Sequence, residues 1–234
     1  TAALSGGNKR ATARSLNVCP YRATSVLLRR PRVPVSMEAT SIVTRGAFRW
    51  SRARDISPID WDFFYRCYEQ TYQEHGNPPY LNRVFFERIA NTMAENWLLF
   101  VAERGGRPMA ASLIALGIQQ ELVAGARTLQ RVAYGRYWGC LERVDCLHFE
   151  ACYYQPLQWC IENKFDRFEG GAQGEHKLAR ALLPVANTSM HWLAHPAFSA
   201  AVDRFLDSDR NGVANYLDHL SARSPFRRHG DPIP

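Results

Sequence analysis

The stretch FEGGAQGEHKLARALLP, residues Phe168–Pro184, decides how the rest of the chain is interpreted. Two apolar residues, Phe165 and Phe168, lead into Gly170 and Gly171, and glycine permits backbone conformations that a Cβ atom disfavours. Polar and titratable residues follow at once, before an apolar helical pattern resumes. This order predicts a strand that turns into a short helix, a place where backbone N–H groups stay free to bind a substrate.

The composition is that of a soluble globular protein, and 234 residues suffice for one large domain with an ample core. No apolar run approaches the roughly 18 residues of a spanning helix, so the sequence predicts no transmembrane segment. The formal net charge is +7, but Lys and Arg are concentrated in residues 1–55, where acidic residues are rare. The remainder is close to neutral, so the charge does not indicate a nucleic-acid-binding domain.

Residues 1–54 show no sustained periodicity and no acidic residue before Glu38, which predicts a disordered basic leader. The same composition is typical of an organelle transit peptide. The alternatives are a basic arm or a stretch that is not native coding sequence, with Met37 as the true start. We therefore predict a leader (1–54), a folded domain (55–225) and a tail (226–234), in a cytoplasmic protein, or an organellar one if the leader is a transit peptide.

Behind the leader, helical and strand patterns alternate. Ser57 and Pro58 begin an aromatic-rich helix that runs to about Glu74. A second helix, over residues 81–94, is expected to bury one face, which would carry Val84, Phe85, Arg88 and Ile89. Strands are predicted at residues 97–102, 109–116, 133–139, 167–170 and 185–193, and further helices at residues 146–162 and 196–220.

Two segments interrupt these patterns. Residues 118–132 are too long for a tight hairpin and only weakly helical, so they are interpreted as an insertion. Pro156 lies inside a helical run and must kink or restart that helix. The order of elements predicts an α/β (α+β) fold in which a central mixed sheet is flanked by helices.

The six cysteines show neither a CxxC pair nor the spacing of a disulfide framework, which favours a reducing compartment. The grouping of Cys146, His148 and Cys152 matches no zinc pattern. The sequence therefore predicts no metal site.

Three motifs resemble the FemAB-like predicted N-acyltransferases: YGRYWGC (134–140), HFEACYYQPLQWCIE (148–162) and FEGGAQGEHKLARALLPV (168–185). These are relatives of the peptidoglycan interpeptide aminoacyl transferases, which are built on paired GNAT domains. From about residue 55 to residue 225 the chain resembles their C-terminal GNAT half. The resemblance implies a GNAT-like fold and direct transfer of an acyl or aminoacyl group from an activated donor to an amine, without an acyl-enzyme.

The resemblance also implies the partners. The donor would be acyl-CoA or aminoacyl-tRNA, acting as a co-substrate, and tRNA would be a partner in the second case. No tightly bound cofactor is expected.

Such a transfer needs a base for the ammonium proton, donors for the developing oxyanion and cations for an anionic donor. The catalytic candidates are Glu175, His176 and Glu150, and Glu169 is a second carboxylate candidate at the end of a strand. The substrate-binding candidates are Lys177, Arg180, Gln173, Gly174, Arg136 and Tyr137. The resemblance implies the role of Lys177, because Fem transferases carry a lysine on the short helix after this strand.

Each candidate also has an ordinary structural interpretation. Glu175 would cap a helix, Lys177 would belong to a solvated face, and His176 would be a structural histidine. Two other functions compete with acyl transfer. One is a thiol enzyme that pairs Cys152 or Cys160 with His176. The other is a non-catalytic binding domain.

Overall fold

A computed structural model describes residues 17–27, 46–123, 125–172, 175–180 and 182–223. The strands are β1 (Asn17–Leu27), β2 (Gly46–Arg52), β3 (Trp97–Arg104), β4 (Arg107–Val123), β5 (Ala126–Cys140), β6 (Arg167–Ala172) and β7 (Leu183–His191). The helices are α1 (Pro58–Glu74), α2 (Arg83–Thr92), α3 (Leu147–Phe149), α4 (Gln155–Glu162) and α5 (Pro196–Ala222). The strands form one sheet in the order β2-β3-β4-β5-β6-β1-β7, in which only β5 and β6 pair in parallel. The expected mixed sheet flanked by helices is confirmed.

Helix α1 begins where its sequence predicts. The Ser57 hydroxyl accepts a hydrogen bond from the Asp60 N–H at 3.2 Å, and Pro58 occupies the first turn. Arg49 of β2 then donates to the Asp60 carboxylate and to Glu103 of β3, both at 2.6 Å. One guanidinium group thus fixes the start of α1 to two strands.

An aromatic core joins α1 and α2 to one face of the sheet, called here the α1 side. The ring of Phe86 lies 5.1 Å from those of Phe64 and Tyr68, and 5.6 Å from that of Tyr137 on β5. These separations are typical of packed aromatic pairs. The aromatic stripe of α1 is therefore core, as its spacing predicts.

The predicted buried face of α2 is wrong in part. Ile89 is buried as expected, but Val84 is 61% exposed and Phe85 is also exposed. Phe86 is fully buried in their place. The reason is that Phe86 and Ile89, three residues apart, share the side of the helix that meets the rings of α1.

The other face of the sheet, called here the α4 side, carries α3, a π-helical turn (Glu150–Tyr154) and α4. Trp159 packs there with Phe100, Ile114 and Phe168 of the sheet. The π-helical turn ends just before Pro156, which has no N–H and crowds the carbonyl group four residues earlier. The expected helix irregularity at Pro156 is confirmed.

The interpretation of residues 118–132 as an insertion is wrong. They extend β4 and β5 into one long hairpin, which is paired from Ala110–Cys140 to Val123–Ala126. Gly125, with φ +81°, supplies the left-handed conformation that a tight turn needs. The strand pattern was hidden because apolar side chains of the hairpin are exposed, among them Ile118, Leu122 and Leu129.

The prediction that order begins near residue 55 is wrong for two segments. Strand β2 pairs with β3 at one edge of the sheet, and β1 lies between β6 and β7. β1 escaped detection because it contains Pro20, and proline is rare inside sheets. The structure accommodates Pro20 because pairing with β6 begins only at Ala23, so Pro20 has a strand neighbour on one side. The rest of the predicted leader and the predicted tail lie outside the described residues.

Among the helices in the described part of the chain, none combines the length and the apolar character needed to cross a membrane.

Candidate functional site

The parallel strands β5 and β6 separate soon after they meet. They share three residue pairs, from Val132–Arg167 to Tyr134–Glu169, although β5 continues to Cys140. We call the space between residues 135–140 of β5 and residues 170–172 of β6 the strand gap. Over these described residues β5 and β6 share no residue pair.

A β-bulge shapes the β5 edge of the gap. Leu113 pairs with Tyr137 and Ile114 with Gly135, which leaves Arg136 as an extra residue in β5. A bulge redirects side chains and often lies beside a functional site. The predicted binding residue Arg136 is exposed here, with its guanidinium group 5.8 Å from the ring of Tyr137.

Lys177 is buried beside the gap. It lies in the 3-10 turn Glu175–Arg180, is 5% exposed, and donates from Nζ to the carbonyl oxygen of Gly171 at 3.2 Å. Burial lowers the pKa of Lys177, and the nearby Cys152 thiol opposes the shift. The alternative that Lys177 belongs to a solvated face is therefore wrong.

Arg180 lies one turn further along the same element. The 3-10 helix repeats every three residues, so Arg180 is on the same side of the turn as Lys177. Its guanidinium group stacks over the ring of Phe149 at 3.6 Å and lies about 6 Å from Tyr153 and Tyr154. These cation–π contacts join the 3-10 turn to α3, which carries Phe149, and to the π-helical turn, which carries the two tyrosines.

Glu150 is the buried carboxylate of this region. It opens the π-helical turn and is 9% exposed. Gln155 donates to its Oε1 atom at 2.7 Å. Single π-helical turns occur frequently at functional sites, and here the turn brings Glu150 and the rings under Arg180 into one short segment.

The structure describes the other predicted site residues only in part or not at all. The backbones of Glu175 and His176 begin the 3-10 turn, but their side chains lie outside what the structure describes. Gln173 and Gly174 lie outside the described residues altogether. The proposed roles of these four residues remain predictions.

Tyr137 is not part of this group. Its ring packs at 5.4 Å from Tyr68 and 5.6 Å from Phe86, in the core of the α1 side. Lys177 and Arg180 lie on the α4 side. Lys177 and Tyr137 therefore lie on opposite faces of the sheet.

Sequence reasoning missed two neighbours of Lys177. The Ser112 hydroxyl lies within hydrogen-bonding reach of the Cys152 thiol. That thiol in turn interacts electrostatically with the ammonium group of Lys177. A signal was present for Ser112, which interrupts the otherwise apolar run of residues 109–116. Cys152 is a candidate thiol by sequence, but no sequence pattern places it beside Lys177, since its environment depends on the π-helical turn.

The thiols do not favour the competing thiol-enzyme hypothesis. Burial raises the pKa of Cys152 and that of Cys160 to about 12. Both thiols are then protonated near neutral pH, whereas a nucleophilic cysteine needs a lowered pKa. In the described part of the chain, no group of three His, Cys, Asp or Glu residues is arranged to hold a metal ion.

A family model supplies the sequence comparison. The FemAB-like model, described as peptidoglycan biosynthesis/recognition, matches residues 26–228. No curated protein matches the sequence.

Solved structures supply the structural comparison. One is a predicted acetyltransferase with acetyl-CoA from Clostridium acetobutylicum (14% identity, TM-score 0.40, covering 53% of this chain and 78% of that chain). Another is the C-terminal domain of a lysylphosphatidylglycerol synthetase from Agrobacterium fabrum (9% identity, TM-score 0.45, covering 71% of this chain and 51% of that chain). A third is an aminoglycoside acetyltransferase from an uncultured soil metagenomic sample (12% identity, TM-score 0.37, covering 53% of this chain and 76% of that chain).

Proposed function

We propose, because the chain belongs to the FemAB-like family as its motifs predict, that it transfers an acyl or aminoacyl group from an activated donor to an amine. The structural observation that supports this proposal is the buried ammonium group of Lys177 beside the strand gap. Burying a charged group costs free energy. A buried ammonium group beside the ends of β5 and β6 is suited to stabilise an anion or a developing negative charge.

The reaction is a direct displacement at a carbonyl carbon. The acceptor ammonium first loses one proton to a base, for which the sequence nominates Glu175, His176 and Glu150. The amine nitrogen then forms a bond to the carbonyl carbon, and the carbonyl oxygen gains negative charge. As the bond to the leaving group breaks, the nitrogen loses a second proton and the leaving group gains one.

Lys177 stabilises the negative charge in this sequence of events. Its ammonium group, held by the carbonyl oxygen of Gly171, is near the gap in a poorly solvated position. Charge stabilisation is stronger there than in water. Cys152, which contacts Ser112, lies close enough to Lys177 to interact with it electrostatically.

The donor is an anionic molecule on the α4 side. Both acyl-CoA and aminoacyl-tRNA carry phosphate groups, which Lys177 and Arg180 are suited to bind. Because Arg180 stacks its plane on Phe149, the edge of its guanidinium group is the part directed to a ligand.

The acceptor follows from the family description. Peptidoglycan biosynthesis uses peptides with free amino groups, so we propose an amino group of a peptidoglycan precursor peptide as the acceptor.

A radiolabel transfer assay tests the proposal. The chain is incubated with an amine-bearing stem peptide and either labelled acetyl-CoA or labelled aminoacyl-tRNA. We expect label on the peptide with one donor, and about a hundredfold loss of transfer in Lys177→Met. The matched control is Arg88→Met, which removes an exposed cation from α2.

The assay also separates the competing functions. If neither donor is consumed or bound, the acyltransferase proposal is wrong and the non-catalytic binding domain takes its place. If transfer occurs, retention of activity in Cys152→Ser and Cys160→Ser removes the thiol-enzyme hypothesis.

A further inference from the structure

We infer that the protein forms a symmetric dimer in which β7 pairs with β7 of a second copy and the two α5 helices pack together. The inference goes beyond the proposed function and does not depend on it. It rests on an edge strand without charged residues, on exposed aromatic side chains next to that edge, and on the position of α5.

Strand β7 ends the sheet and carries no charged residue. It pairs with β1 along its whole length, and in the described part of the chain no strand lies on its other side. Its sequence, LPVANTSMH, contains no Lys, Arg, Asp or Glu. Natural edge strands are usually blocked by charges, prolines or bulges, because an open backbone edge attracts another strand. Pro184 interrupts this edge only at the second residue, so the backbone of residues 185–190 is suited to pair with a further strand.

The opposite end of the sheet is protected against such pairing. Strand β2 carries two arginines, Arg49 and Arg52. A second copy of β2 alongside it would bring like charges together, which is unfavourable between neighbouring strands. Of the two ends of the sheet, β7 is therefore the one at which an identical strand meets no Lys, Arg, Asp or Glu.

Large apolar side chains are exposed next to β7. Four of them are more than half exposed, namely Met190, Trp192, Phe198 and Phe205. The first two lie at the end of β7 or just after it, and the phenylalanines lie on α5. Single exposed apolar residues are ordinary, but several beside an unprotected strand edge indicate an interaction surface.

Helix α5 carries two apolar stripes. Leu206, Val213 and Leu220 recur every seven residues and are buried, and the helix packs on β1 and β7. Phe198 and Phe205 are also seven residues apart, but they are exposed. Successive residues of an α-helix are rotated by about 100°. The exposed stripe therefore lies on one flank of α5, beside the stripe that meets the sheet.

The position of α5 fits a second copy of the same helix. Because α5 packs on both β1 and β7, its axis runs above that strand pair, about 2.4 Å inside β7. Two β7 strands paired antiparallel are related by a twofold axis perpendicular to the sheet, which keeps both α5 helices on the same face. With a strand spacing of about 4.8 Å, the two helix axes are roughly 10 Å apart. That is the usual distance between packed helices.

This geometry favours a second copy over an unrelated strand. A foreign strand would pair with β7 but would bring no helix to cover Phe198 and Phe205. A second copy covers both features at once, because each α5 places its flank against the other. Such a self-complementary contact is typical of twofold dimers.

The exposed area is of the size that a stable dimer needs. A buried aromatic side chain removes about 150–250 Å² from water. Trp192, Phe198 and Phe205, each about 60% exposed, thus offer on the order of 350 Å² per copy. Met190, Val185 and the backbone edge of β7 add to this area, and stable interfaces bury about 800 Å² per partner.

Sedimentation equilibrium over a range of chain concentrations tests the dimer. We expect the wild type to sediment with twice the mass of one chain at micromolar concentration. Phe205→Glu should raise the dissociation constant about a hundredfold, because the twofold axis places the change in the interface twice. Ala214→Glu is the matched control. It adds the same charge at an exposed position on the other flank of α5 and should leave the dissociation constant unchanged.

Two results of this experiment overturn the inference. One is a wild type that remains monomeric at about 100 μM. The other is a dimer that Phe205→Glu and Ala214→Glu weaken equally. Thermal unfolding checks that Phe205→Glu is folded. Should it not fold, Val185→Lys replaces it, because a charge on the edge of β7 should weaken the dimer at least tenfold.

Amide hydrogen exchange followed by NMR locates the interface. The amides of residues 185–190 that face away from β1 should exchange at least tenfold more slowly in the dimer than in dilute monomer, since pairing protects them. The amides of β2, at the other end of the sheet, are the internal control and should exchange at the same rate in both. A dimer in which the exchange of β7 is unchanged uses another surface and overturns the inference.

Discussion

The two edges of β5 are paired to very different extents. Along β4 the pairing is continuous from Ala110–Cys140 to Val123–Ala126. Along β6 it stops after three pairs. The first edge belongs to a hairpin, in which a tight turn holds the strands together, whereas parallel strands are joined only through a crossover. In this protein the crossover contains the π-helical turn and α4.

This difference in strand pairing divides the sheet into two parts. We call β2–β5 with α1 and α2 the paired half, and β6, β1 and β7 with the 3-10 turn the open half. The paired half holds the aromatic core and the ion pairs of Arg49. The open half holds Lys177 and Arg180. The edge of β5 that faces β6 needs little pairing of its own, because the paired half holds the strand in place.

The largest effect is expected where the paired half has no spare space. A Cβ atom on Gly139 would overlap the backbone carbonyl group of Cys67 on α1 and lie 2.9 Å from Thr71 Oγ1. Gly139→Ala must push α1 off β5, and we expect a loss of about 3 kcal/mol in the free energy of unfolding. Urea denaturation measures it.

Gly117→Ala is the matched control for this prediction. The added Cβ atom would lie 3.5 Å from Tyr134, an ordinary contact distance. Equal losses in the two variants would show that the close contact between α1 and β5 is not what makes the paired half rigid.

A substitution at Lys177 in the open half should lower the activity without lowering the stability. Lys177→Met removes a buried ammonium group and replaces it with an apolar chain of similar length. We expect about a hundredfold fall in kcat/KM, with a melting temperature equal to or above that of the wild type. A large loss of stability in this variant would mean that Lys177 holds the fold together and is not reserved for a ligand.

The start of α1 tests the electrostatic part of the paired half. Burial tends to raise the pKa of Asp60, but hydrogen bonds from Arg49 and Ser57 and the charge of Arg49 lower it below its usual value. A lowered folded-state pKa stabilises the protein above the unfolded value of about 4 and is lost as the pH falls through the folded value. Asp60→Asn should cost about 2 kcal/mol at pH 7.

The pH dependence provides the control for Asp60→Asn. Its free energy of unfolding should fall less steeply than that of the wild type as the pH decreases below about 5. Asp62→Asn, which removes a more exposed partner of Arg83, should cost less than about 1 kcal/mol at pH 7. Identical slopes in the Asp60 variant and the wild type would contradict the assignment.

The smallest effect is expected at Arg180. Arg180→Lys keeps the charge but loses the planar stack on Phe149, at a cost of about 1 kcal/mol. Differential scanning calorimetry measures the fall in melting temperature. Arg66→Lys, whose guanidinium carbon lies 5.5 Å from the Phe63 ring, is the comparison and should cost less. A larger effect at Arg66 would show that the stack does not anchor the open half.

Each half contains elements that the sequence predicts and elements that it misses. Helix α1 and strand β3 of the paired half and strand β6 of the open half follow from local pattern, whereas β2 and the outer part of the β4–β5 hairpin do not. Strand β1 does not, since its partners β6 and β7 lie far away in the sequence and Pro20 argues against a strand. Its extended conformation is imposed by tertiary pairing.

The candidate site shows the same limit. The motif around Gly170 identifies Lys177 and Arg180, because polar residues after a glycine turn are a local signal. It gives no hint that Tyr137 points to the opposite face or that Arg167 and Tyr134 flank Glu169. Those relations depend on the bulge at Arg136 and on the register between β5 and β6, and register is not encoded by local pattern alone.

The position of β1 has a consequence for biosynthesis. Residues 17–27 are synthesised long before their pairing partners, such as Val185 opposite Ala23. Contacts of such long sequence separation form slowly. The hairpins of the paired half can assemble while the chain is still growing, whereas β1 must wait for β6 and β7. The part of the sheet beside Lys177 is thus completed after the paired half.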